Sequence, residues 1–71
     1  MTNLQRNQHL DKIAQTREDL AALTVNREKA ILAANHAKTK HQKKVHRLAA
    51  IHITKMMQKA SQELHKLYGG V

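Results

Sequence analysis

No proline occurs anywhere in the 71 residues, and no glycine occurs before Gly69. Proline removes an amide donor and breaks helices, and glycine weakens them by about 1 kcal/mol per residue relative to alanine. A chain that withholds both while drawing on Leu, Ala, Lys, Gln, Arg and Met is expected to be helical almost throughout.

Length then limits what those helices can bury. A chain of this size hides only about 60% of the surface that its unfolded form exposes. Small folds make up the shortfall with disulfides, a structural metal or a partner chain. There is no cysteine, and Tyr68 is the single aromatic residue, so the core must come from Leu, Ile, Val, Met and Ala. A homo-oligomer or a protein partner is therefore expected.

Laid out at 100° per residue, two amphipathic segments emerge. In the first, Leu10, Ile13, Leu20, Leu23 and Ile31 gather on one broad side, with Val25 and Leu32 at its margin; Asp11, Gln15, Asp19, Asn26 and Lys29 lie opposite. Thr2 followed by Gln5 has the spacing of a capping box, which satisfies two amide donors of a first helical turn. Between residues 35 and 44 the periodicity stops, with Ala37 the only apolar residue. Asn35 suits a left-handed helix end, and Thr39 with Gln42 repeats the capping spacing.

In the second segment Val45, Leu48, Ala49, His52, Ile53, Met56, Met57, Ala60, Leu64 and Leu67 cover about half of the wheel. The expected fold is all-α: an antiparallel helical hairpin with a helix over about 3–35, a turn over about 36–40 and a helix over about 40–68. Residues 1–71 would form one domain, with 69–71 a short flexible tail, and the hairpin would be oligomeric or completed by a partner. The alternative is one continuous helix, which would bury little without supercoiling partners. A heptad register with Leu10, Arg17, Thr24 and Ile31 in one row and Ile13, Leu20, Arg27 and Ala34 in the other places two arginines and a threonine in the seam. That argues against a long parallel zipper. The side chains expected to make the protein interface are Leu10, Ile13, Leu20, Ile31, Val45, Leu48, His52, Met56, Leu64 and Leu67.

Charge is unevenly spread. The chain has 13 Lys and Arg against 5 Asp and Glu, a formal +8. Residues 1–35 carry five cations and four anions, whereas residues 36–71 carry eight cations and Glu63 alone. Lys40, Lys44, Arg47, Lys55, Lys59 and Lys66 fall on the arc opposite the apolar side of the second helix, interrupted by Ile51. Such a stripe, about 40 Å long at 1.5 Å per residue, can track several phosphates. It points to nucleic acid or an acidic protein, the same stripe also serving solubility. Sparse Asn and Gln on that arc disfavour base reading, and the lack of aromatics disfavours stacking on single strands.

Chemistry beyond binding has little to stand on. Successive histidines at 36, 41, 46, 52 and 65 are never three or four residues apart, the spacing that lets one helix face offer two metal ligands. Protonating all six would raise the formal charge from +8 toward +14, so association can respond to mild acid. Nucleophilic cysteine is absent, the hydroxyls have no Gly-rich setting, and Glu18 and Asp19, adjacent in sequence, point different ways on a helix. The expectation is a non-enzymatic protein without cofactor, metal or small-molecule substrate. With no long apolar run and no signal-like N-terminus, a cytoplasmic location without a membrane span is expected. In size and outline this hairpin resembles several small helical classes, among them RNA-binding plasmid regulators built as hairpin dimers and co-chaperones of secretion-needle subunits.

Two functions follow as expectations. One is an assembly or adaptor protein whose apolar faces pack against copies or partners while its cationic face meets a polyanion, foremost nucleic acid. The other is a helical chaperone or structural subunit, as in secretion or virion-type complexes, that binds an acidic protein.

Overall fold

The structure is a computed structural model that describes residues 2–69. Two helices, α1 (Asn3–His36) and α2 (Lys40–Gly69), form an antiparallel hairpin, and no strand occurs among the described residues. The rod measures 56 × 14 × 10 Å. Its radius of gyration is 16.4 Å, against the ~11 Å of a compact chain of this length.

The ends of the helices follow from local chemistry. At the start of α1 the Thr2 hydroxyl oxygen accepts from the Gln5 amide at 3.2 Å, and the Gln5 side chain accepts from the Thr2 amide at 3.0 Å. Both halves of the capping box are present. At the start of α2 the Thr39 hydroxyl oxygen accepts from the Gln42 amide at 3.1 Å. The turn departs from expectation at Asn35, which stays helical. α1 runs on to His36, and Ala37, in an extended conformation (φ −66°, ψ 138°), ends it while its amide donates to the Ala34 carbonyl. No non-glycine residue among those described has a positive φ, because an extended Ala37 turns the chain without a left-handed residue. At the other end α2 includes Gly69, expected in the tail; residues 70–71 lie outside the described part.

The residues that the two helices hide from solvent follow alternating steps of four and three. In α1 they are His9, Ile13, Thr16, Leu20, Leu23, Arg27, Ala30 and Ala34, with Thr24 and Ala33 half-buried beside them; in α2 they are Lys43, His46, Ala50, Ile53, Met57, Ala60, Leu64 and Leu67, with Thr54 half-buried beside them. That repeat averages 3.5 residues and is the seam of a coiled coil, here folded back on itself. One heptad row, Ile13, Leu20, Arg27 and Ala34, agrees with the register read from the sequence. The other is displaced by one residue, so Leu10, Arg17 and Ile31 sit outside the seam and are exposed.

Burial is thin. Among the described residues only Ile13, Ala34 and Thr16 are buried, and none of the large side chains described is fully enclosed. Polar groups in the seam are nonetheless satisfied. Thr16, Thr24 and Thr54 each donate at 2.8 Å to the carbonyl four residues earlier, of Lys12, Leu20 and Ala50. Arg27 Nε donates across the hairpin to Thr54 Oγ1 at 3.0 Å. At the open end His9 Nε2 lies 2.6 Å from the Leu67 carbonyl, one of the last carbonyls of α2, which have no partner within the helix.

Leu20 and Leu48 should therefore behave differently when replaced by Asp. Leu20 belongs to the seam, where an unpaired carboxylate loses its hydration, whereas Leu48 is 55% exposed. Circular dichroism should show lost helix and a lower unfolding midpoint for Leu20→Asp, and a spectrum close to the parent for Leu48→Asp.

Candidate polyanion interface

Because α1 covers only the seam side of α2, the opposite arc of α2 is free to carry charge. Lys40, Lys44, Arg47, Lys55, Lys59 and Lys66 are all exposed there, within about 120° of the wheel. Glu63, the only acidic residue of α2, is turned toward α1, where its carboxylate lies 3.6 Å from Lys12 Nζ. The cationic arc thus meets an acid of its own helix only at its edge, where Lys59 and Glu63 line one groove. Both members of the Lys12–Glu63 pair are more than half exposed, so the contact adds little to stability.

The fold adds cations that the helical wheel leaves aside. Lys38 lies in the turn and is exposed, and Lys43 is half-buried at the turn end of the seam. With Lys40, Lys44 and Arg47 they make five cations in ten residues at the closed tip, without an acid. The run is plain in the sequence, but Lys38 and Lys43 do not share the helical face of the other three. His36 and His41 are exposed at the same tip, and His46 is half-buried.

The interface residues expected from the sequence divide into two groups. Ile13, Leu20, Leu64 and Leu67 join the two helices of the hairpin itself. Leu10, Ile31, Val45, Leu48, His52 and Met56 are exposed, because a two-helix contact spans a narrower strip than the apolar half-wheel of α2. Leu48 and Ile51 stand among the cations of the outer arc, and Arg47 borders a shallow niche with Ile31, Asn35 and Ile51. On the other side of the seam a longer groove is lined by Asp19, Ala22, Leu23 and Asn26 of α1 and by Met56, Lys59, Ala60 and Glu63 of α2.

Neither hollow is enclosed, and among the described residues no three His, Asp or Glu side chains converge where a metal ion could be held. No described helix is long and apolar enough to cross a membrane. The chain matches no protein-family model, no curated protein and no solved structure.

Since the cationic arc takes no part in the seam, replacing Lys40, Lys44, Arg47 and Lys55 together by Gln should leave helix content intact. Removing four like charges also relieves self-repulsion. The unfolding midpoint of this variant should equal or exceed the parent's, with the larger difference at low salt.

Proposed function

We propose that this protein is a non-enzymatic helical assembly module that packs against copies or partners through its uncovered apolar residues and holds a polyanion, foremost nucleic acid, on the outer arc of α2 and the turn. The observation that carries this reading is the alignment of six exposed cations along one arc with the helix's only carboxylate turned away. Phosphates spaced along a nucleic-acid backbone fit a row of cations better than a single pocket, and neutralising them releases condensed counterions. Lysines dominate the arc, so contact is with the backbone and sequence preference is weak.

A second reading draws on Ile31, Leu48 and Ile51, exposed beside Arg47. Apolar side chains next to cations suit an acidic protein surface, since phosphates gain nothing from them. In that case the hairpin is an adaptor, chaperone or structural subunit, and the same cations select its partner by charge.

Salt titration separates the two. Binding to duplex DNA or RNA should weaken linearly in log Kd against log salt. Replacing Lys40, Lys44, Arg47 and Lys55 by Gln should reduce that slope by about 0.9 for each duplex phosphate that is no longer neutralised. Weak nucleic-acid binding by the parent, together with capture of an acidic protein that the quadruple variant fails to hold, would select the second reading. Parent and variant binding every partner alike would assign the stripe to solubility.

A further inference from the structure

The hairpin exposes 5857 Å². Size scaling gives ~4,500 Å² for a compact monomer of this mass, so roughly 1,350 Å² stands in excess. A stable interface takes about 800 Å² from each partner. The surplus is therefore large enough for one docked chain, and the groove on the Met56 side is where it is best shaped to receive one.

That groove, of about 490 Å³, lies near the middle of the rod. Its apolar lining is Ala22, Leu23, Met56 and Ala60: two alanines that allow close approach, a leucine of the seam and one flexible methionine that is 42% exposed. Its charged lining is Asp19 and Glu63 together with Lys59, both signs within one patch. An isologous contact requires a patch that complements itself. A groove at mid-length also meets its own copy when two rods lie antiparallel. The charge along the rod favours that direction: residues 25–52 hold seven cations against Glu28, and the remainder holds six against Asp11, Glu18, Asp19 and Glu63. Antiparallel packing keeps the two cationic tips apart.

We infer that a second copy of this chain docks antiparallel on the groove, with Met56 of each hairpin against Ala22 and Ala60 of the other, and Lys59 of each facing Asp19 and Glu63 of the other. The assembly is a four-helix rod. This deepens the assembly half of the reading above; it shares Lys59 alone with the cationic arc and is tested on protein freed of nucleic acid.

Sedimentation equilibrium on the nuclease-treated full chain should give a dimer mass. Met56→Glu should give a monomer that keeps its helix content, since Met56 lies outside the seam. Leu10→Glu, on the opposite side of the seam, should remain dimeric. Lys59→Glu should weaken dimerisation by about tenfold, and adding Asp19→Lys should restore it. If Met56→Glu loses helix, the Lys59 and Asp19 exchange decides. A parent that is monomeric at all concentrations, a dimer indifferent to Met56→Glu, a larger assembly, or failure of the exchange to rescue would overturn the inference. Loss of nucleic-acid binding alone, with dimer mass unchanged, would count against the polyanion reading and not against this one.

Discussion

Everything in this hairpin depends on the pairing of two seams that step by four and three residues, and one polar layer within them fixes how they pair. Arg27 Nε donates to Thr54 Oγ1, which donates in turn to the Ala50 carbonyl. The threonine hydroxyl thus gives and receives one hydrogen bond each. A slide of one helix past the other would leave the guanidinium without its acceptor inside a strip that α2 half covers. Single polar residues at seam positions set register in coiled coils in the same way. Leu and Ile layers on either side supply adhesion but tolerate neighbouring alignments, so alignment comes from the arginine.

A seam that narrow settles what the rest of the surface can be. It uses one stripe of each helix, leaving about two thirds of each circumference for other contacts. On α2 that remainder holds most of the cations as well as Leu48, Ile51 and Met56; on α1 it holds Asp11, Glu18 and Glu28 with Leu10, Val25 and Leu32. α1 is close to neutral, its four acids offset by Arg6, Lys12, Arg17, Arg27 and Lys29, so the net positive charge sits on α2 and the turn, and the molecule presents long faces instead of a recess. Recognition by such a shape rests on repeated contacts along its length.

The fold was legible because its determinants are local. Missing proline and glycine gave the helices, Thr2 with Gln5 and Thr39 with Gln42 gave their starts, and the polar run after Asn35 gave the turn. The seam was harder to see, since hydrophobicity and burial part company at particular residues. His9, Thr16 and Arg27 are polar yet lie in it; Leu10, Ile31 and Val45 are apolar yet lie outside it. A hydroxyl that bonds to its own helix, or a guanidinium with an acceptor across the hairpin, is compatible with partial burial in a way that no periodicity reveals. On α2 the apolar residues span half a wheel, and nothing local says which part of that span α1 will cover. The cationic arc was legible for the converse reason: solvated charges need no partner to define them. The groove around Met56 and Ala22 arises from small residues on two helices and has no signature in either.

The turn at Ala37 to Thr39 bears on how the chain reaches this state. Facing residues are close in sequence at the tip and far apart at the open end, where His9 meets the Leu67 carbonyl across 58 positions. Loop-closure entropy rises with that separation, so pairing that begins at the turn and travels outward crosses the lowest barrier. The turn is also where Lys38, Lys40, Lys43, Lys44 and Arg47 crowd together. The step that must come first in zipping is the one that mutual repulsion opposes most. Dissolved salt, by screening those five charges, therefore governs how fast the hairpin closes.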